Sequence, residues 1–177
     1  EISEFHIPDA GRLKVQVAAA KEMADASMVL IQMGFGKTLA LRLAAFILAK
    51  QRGFALTNNK GALVCTVNDD LAGRDAKEAA KILSGFGLIV GFITQDGEGK
   101  RIGYIYDKTT KKMERVEEAY VYKNADIIYG TVDRFVHRYE DEEFPQDKSD
   151  AVFSQRKYFA LFDEADEPLI YQLMTPF

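Results

Sequence analysis

The chain has 177 residues, enough for one domain with a core, and its 47% hydrophobic and 28% charged residues are ordinary for a globular protein. A net charge of −4 argues against a domain that grips a polyanion over a general basic surface. The one cysteine, Cys65, excludes an intramolecular disulfide, points to a reducing compartment, and reads as a small core residue within its apolar run.

The chain opens Glu1-Ile2-Ser3-Glu4, with no signal-peptide pattern and no initiator Met, so a piece of something longer is expected. Arg12 to Asp25 reads as an Ala-rich helix carrying Val15, Val17 and Met23. Ser27 to Met33 is an apolar run that reads as a buried strand. Gly34-Phe35-Gly36-Lys37-Thr38 follows, and Thr38 to Gln51 reads as a helix, too short to span a bilayer and interrupted by Arg42. Strand, glycine loop, Lys-Thr and helix is the layout of a phosphate-binding loop. Glycines let backbone N–H groups crowd round a polyphosphate, the helix N-terminus adds positive potential, Lys37 adds a point charge, and Thr38 offers a hydroxyl to Mg²⁺. The position that the full pattern gives to a further glycine holds Ile31, and turn glycines before a helix are common, so the loop alone leaves both readings open.

Gly53 and Asn58-Asn59-Lys60-Gly61 turn the chain into a strand at about Ala62–Val67. Asp70 to Ser84 reads as a helix whose apolar stripe is Leu71, Ala79, Ile82 and Leu83. A strand at Leu88–Thr94 leads to the polar turn Gln95–Lys100. Arg101–Tyr106 and Lys112–Val116, alternating round Asp107–Lys111, read as a hairpin projecting from the sheet, an insertion over about 97–117. Tyr104 and Tyr106 on it form either a hairpin face or a binding platform. A strand at Ala125–Tyr129 and a helix at Val132–Glu140 precede an acidic segment with Pro145, 141–150, expected as a mobile loop. The last strand, Tyr158–Phe162, runs straight into Asp163-Glu164-Ala165-Asp166. A carboxylate pair at the C-terminal end of a buried strand is where an ATPase holds Mg²⁺ and its attacking water, although an acidic cluster alone is often a solvated turn. The alternation of strand and helix predicts a mostly parallel α/β sheet with helices on both faces. His6 and His137 have no partners arranged for catalysis or a metal.

Several segments together carry a family resemblance. Thr66-Val67-Asn68-Asp69-Asp70-Leu71-Ala72-Gly73-Arg74-Asp75 closely matches T-V-N-D-Y-L-A-x-R-D, Phe86 to Gly91 follows L-G-L-x-V-G, and Ala125 to Thr131 matches A-D-I-T-Y-G-T. Tyr158 to Asp166 resembles H-Y-A-L-V-D-E-V-D, Thr175-Pro176 falls at the T-P of R-T-P, and Val15-Gln16 matches the V-Q upstream of the loop. These are segments of SecA, the preprotein-translocating ATPase related to superfamily 2 helicases, and the chain resembles its first nucleotide-binding domain from about Arg12 to Phe177. Phe35 stands where SecA has Glu, Leu13 where it has an aromatic residue, and Met174 where it has Arg; the hairpin lengthens the spacing from Lys37 to Asp163. A divergent, SecA-like protein is expected.

The resemblance implies a three-layer α/β/α P-loop NTPase domain of RecA-like, helicase type. In SecA the strand between the two catalytic strands comes later in sequence, so 1–177 is expected to be one partial domain with an incomplete sheet. It implies ATP and Mg²⁺ as cofactors, with Lys37 and the loop residues Gly34, Phe35, Gly36 and Leu39 on the phosphates. Thr38 and Asp163 would hold Mg²⁺, and Glu164 would orient or deprotonate the attacking water. Gln16 either reads the adenine edge or is an exposed helix residue. Asp166 would link to neighbouring domains; Arg74-Asp75 is either a solvated pair or a coupling segment. Arginines for the transition state come from a second domain in this class, so the 177 residues alone would bind nucleotide with little or no turnover. Unfolded preprotein, a membrane channel and further domains of the parent chain are the implied partners, in the cytoplasm or at the membrane periphery. Two other readings remain: a DEAD-type RNA or DNA helicase, since Asp163 to Asp166 spells that motif, and a non-catalytic interaction module that retains the fold.

Overall fold

A computed structural model describes residues 10–25, 29–31, 36–50, 60–143 and 157–164. In chain order the elements are α1 (Ala10–Ala24), α2 (Lys37–Lys50), β1 (Lys60–Thr66), α3 (Asp69–Leu83), β2 (Val90–Gln95), β3 (Arg101–Asp107), β4 (Lys112–Val116), α4 (Glu118–Asn124), β5 (Ile127–Thr131), α5 (Val132–Glu143) and β6 (Lys157–Phe162). One six-stranded sheet runs in the order β4-β3-β2-β5-β1-β6. β2, β5, β1 and β6 are parallel, while β3 and β4 add an antiparallel edge. This is the mostly parallel α/β architecture expected from the alternation.

The strands sort their side chains by period two. Ala62 and Val64 of β1, Ile127 and Tyr129 of β5 and Leu161 of β6 face α1, α2 and α3 in one core layer. Leu63, Cys65 and Ile128 point the other way, into a second layer with Val121 and Tyr122 of α4 and Phe135 of α5. Two of the crossovers, β1 to β2 through α3 and β5 to β6 through α5, step across the sheet in opposite directions. Right-handed crossovers then place α3 and α5 on opposite faces. Cys65 is buried as expected, and that burial pushes its thiol up to about 12.

Four expectations need correction. Within the expected strand 27–33, residues 29–31 are in no strand and Leu30 is 96% exposed, while 27–28 and 32–33 lie outside the described residues. An apolar run supplies propensity, but a strand exists only where a neighbour takes its hydrogen bonds. The buried stripe of α3 is Ala72, Asp75, Ala76, Ala79, Ala80 and Leu83, with Ile82 exposed. Alanines rather than large residues face the sheet because they let the helix lie close to it. The acidic segment begins inside a helix, since α5 continues to Glu143; 144–150 lies outside the described residues. Finally, the hairpin does not project: β3 pairs β2 from Gly91↔Ile105 to Gln95↔Arg101 and continues the sheet plane. Phe92 and Tyr104, directly opposed, stack at 4.7 Å with 6° between rings. Tyr104 is thus a cross-strand packing residue.

The α4 helix was not legible in the sequence. Its Val121 fills a gap left by two strand glycines: a Cβ on Gly103 would lie 2.4 Å from Val121 Cγ2, and one on Gly91 would lie 2.7 Å from both Val121 Cγ1 and the Tyr104 carbonyl oxygen. A backbone carbonyl cannot give way as a side chain can. Gly91→Ala is therefore expected to destabilise the protein by about 2 kcal/mol, seen as a drop in Tm of roughly 4–8 °C in thermal melting.

Among the described residues β6 has β1 as its one strand neighbour, and Phe159, Ala160 and Phe162 are exposed along it. No helix among the described residues is long and apolar enough to cross a membrane.

Candidate functional site

The candidate site lies where β1, β5 and β6 end and α2 begins. Gly36 has φ +78°, a conformation natural to glycine, and its carbonyl accepts from Leu39 N and Ala40 N to open α2. Gln16 of α1, 4% exposed, packs directly on this glycine: a Cβ there would lie 2.2 Å from Gln16 Nε2. The open reading of Gln16 as an exposed helix residue is thereby removed.

Lys37 starts α2, and its Nζ lies 2.9 Å from Asp163 Oδ1 and 3.3 Å from Glu164 Oε1. Asp163 is seated by its own backbone, whose N–H donates to the Cys65 carbonyl at 2.9 Å and so extends the pairing of β6 with β1. Glu164 then takes the left-handed conformation, φ +53°, which costs a non-glycine residue about 1–2 kcal/mol. Strain of this kind clusters at functional positions. Burial works to lower the Lys37 pKa, but hydrogen bonds and charge from Asp163 and Glu164 outweigh it and hold the ammonium above its ordinary 10.5. A raised lysine contributes its full stabilisation below 10.5 and loses it only as pH climbs through the folded-state value, so the Lys37 ammonium stays charged at every neutral pH.

The segment after β1 organises the same edge. Asn68 Oδ1 caps α3 by accepting from Leu71 N at 2.9 Å. Asp69 Oδ2 accepts from Thr94 Oγ1 at 3.0 Å and from Arg134 Nη2 at 3.1 Å, which ties α3, β2 and α5 together. Arg74 and Asp75 are paired at 3.0 Å, Arg74 outward and Asp75 buried. The pair thus joins an exposed arginine to a buried carboxylate and is not solvated at Asp75. Asp75 also faces Arg42 of α2 at 3.7 Å. Sequence reasoning used Arg42 only against a membrane span; its spacing four residues after Thr38, on the same face of the helix, was the signal available.

The structure therefore brings together Gln16, Gly36, Lys37, Asp163 and Glu164, with Thr38 and Leu39 half-buried in the first turn of α2. Gly34, Phe35 and Asp166 lie outside the described residues, as does His6. His137 is exposed and paired with Glu140, apart from the site. No group of three or more His, Cys, Asp or Glu among the described residues could hold a metal. A hard cation that keeps several waters needs fewer protein ligands, and the Thr38 hydroxyl with one Asp163 carboxylate suits it alongside ligand oxygens.

The SecA DEAD-like domain family model matches residues 7–177. The chain is 33% identical over 162 residues to the protein translocase subunit SecA of Helicobacter hepaticus, covering 92% of this chain and 16% of that protein. It is 36% identical over 163 residues to the SecA of Brachyspira hyodysenteriae, covering 92% and 14%. It is 28% identical over 163 residues to the SecA 2 of Lactobacillus johnsonii, covering 92% and 18%. The chain thus spans about a sixth of the length of these relatives. With the parallel sheet, the glycine-led helix and the acidic strand end in the expected order, the match settles the family: the chain belongs to the SecA DEAD-like domain family.

Proposed function

We propose that this chain is the ATP-binding motor domain of a protein that couples ATP hydrolysis to moving polypeptide across a membrane. The observation that carries the reading is the Lys37 ammonium held between Asp163 and Glu164 at the head of a glycine-led helix. In this reading Lys37 and the amides of Gly34, Phe35, Gly36 and Leu39 bind phosphate, and Gln16 reads the adenine edge from its seat on Gly36. Thr38 and Asp163 hold Mg²⁺, which when bound would neutralise charge on the phosphate oxygens. The residues suit both groups in kind: Gly36, at φ +78°, opens α2 with Lys37 and Thr38 in its first turn, and the Asp163 carboxylate lies 2.9 Å from the Lys37 ammonium. Glu164 positions water and accepts its proton. Asp166, Arg74 and Asp75 carry coupling to neighbouring domains, and arginines for the transition state come from another domain, so the 177 residues alone turn over slowly. An unfolded preprotein and a membrane channel are the partners, and the cytoplasm or the membrane periphery the location.

Calorimetry with ATP tests this. Saturable binding that strengthens on adding Mg²⁺ is the expected result. Absence of binding in folded, intact protein would sink the reading and shift weight to an interaction module.

A further inference from the structure

Helix α2 carries one cation inside its apolar length, Arg42, and the roles assigned above leave it unused. Its side chain is 14% exposed and reaches two acids of α3. Nη2 donates to Glu78 Oε2 at 2.5 Å and lies 3.7 Å from Asp75 Oδ1. That Asp75 carboxylate is 8% exposed, and the same oxygen accepts from Arg74 Nε at 3.0 Å. Arg42's hydrogen bond holds the Glu78 carboxyl below its usual range. Burial pushes the Tyr129 phenol of β5 up; Arg42, Asp75 and Asp163 all act on it electrostatically, so they share one neighbourhood.

Burying a guanidinium and a carboxylate costs hydration that a pair of leucines would not, so such a contact is a poor way to gain stability. What it fixes is geometry, because the charged groups meet in one register only. Helix α2 packs chiefly against α1 and β1, and α3 against β2 and β5, so the Arg42 ion pairs are a direct tie between two helices that otherwise pack on other elements. Arg42 lies four residues beyond Thr38, about 6 Å along the helix axis. Helix α3 starts at the C-terminal end of β1, the strand to which Asp163 is hydrogen-bonded.

We propose that Arg42 is a positioning residue: its hydrogen bond to Glu78 and its ion pair with Asp75 form a clamp that fixes the rotation and height of α2 against α3 and thereby sets where Lys37 and Thr38 stand relative to Asp163. The proposal rests on the phosphate-site reading above and goes beyond it by naming the residue that sets the site's geometry.

The test measures Mg·ATP affinity on the intact protein, well below the Tm of every variant. Arg42→Met keeps the apolar stem and removes the charge. It is expected to weaken binding about tenfold, since small misplacements of binding groups are costly. Arg42→Lys is expected to recover part of the loss, which a merely space-filling role would not predict. Adding Asp75→Asn to Arg42→Met is expected to cost no more than about twofold further, because the pair acts as a unit. Wild-type affinity in Arg42→Met, or losses that simply add, would overturn the clamp. Should Arg42→Met fail to fold, Arg42→Lys and Asp75→Asn carry the same comparison. Lys37→Ala, run beside them, separates the two levels. A silent Lys37→Ala overturns the phosphate site and the clamp together; a strong Lys37→Ala effect beside a silent Arg42→Met overturns the clamp alone.

Discussion

Lys37→Ala is expected to weaken Mg·ATP binding about a hundredfold and, in the same protein, to strengthen the binding of free Mg²⁺. The two effects have opposite signs for one reason. Without nucleotide, Lys37 is the counter-ion of Asp163 and Glu164, at 2.9 and 3.3 Å. Removing it leaves two neighbouring carboxylates without their cation, a pair that favours any cation able to replace it. With nucleotide, the ammonium turns to the phosphates, and its loss removes one or two charge-assisted hydrogen bonds of about 1.5–3 kcal/mol each. Together these correspond to roughly a hundredfold in affinity. Titrations of ATP with Mg²⁺, and of Mg²⁺ alone, read both quantities. A parallel fall in both would mean that Lys37 only supports the fold. The contrast should hold from pH 6 to 9, because the Lys37 ammonium is held above 10.5 by its acidic partners.

How much of this was legible in the sequence depends on the range of the interaction involved. Strands β1, β2, β5 and β6 and helices α1, α2, α3 and α5 could be read because each is an apolar or periodic run bounded by turn residues. The convergence of Lys37 with Asp163 could be read because a parallel sheet puts the ends of its strands on one edge. At residues 29–31 the structure departs from the expected strand because an apolar run reports hydrophobicity, while strand formation depends on a partner elsewhere in the chain. Helix α4 was hidden by its seven residues and by lacking a side-chain cap; it is defined by Val121 entering the Gly91 and Gly103 gap, a contact between segments far apart in sequence. The α3 stripe was misplaced by weighting Leu71 and Ile82 over alanines, when close approach to the sheet selects small residues. Arg42 offers only a weak signal in the sequence, its place four residues after Thr38 on one helix face. Its meaning comes from Asp75 on another helix.

In the parent protein with its further domains, Glu164→Gln is expected to leave ATP binding intact while turnover falls by about 10²–10⁴, the range for loss of a positioned proton acceptor. Gln keeps the size and the left-handed backbone while removing the charge that accepts the water's proton. Asp163→Asn should differ in kind, losing the Mg²⁺ dependence of binding as well. The backbone at Glu164 adds a second, independent expectation. A non-glycine residue at φ +53° is strained, and its exposed contact with Lys37 returns little stability. Glu164→Gly should therefore raise stability by about 1 kcal/mol, a gain in Tm of roughly 2–4 °C, while lowering turnover as Glu164→Gln does. Single-turnover hydrolysis and thermal melting on the same three proteins check the set. A variant more stable and less active is the outcome that marks Glu164 as held in place for chemistry. Were Glu164→Gly less stable, the strained turn would be serving the fold; were turnover unchanged in Glu164→Gln, Glu164 would not be the group that accepts the water's proton.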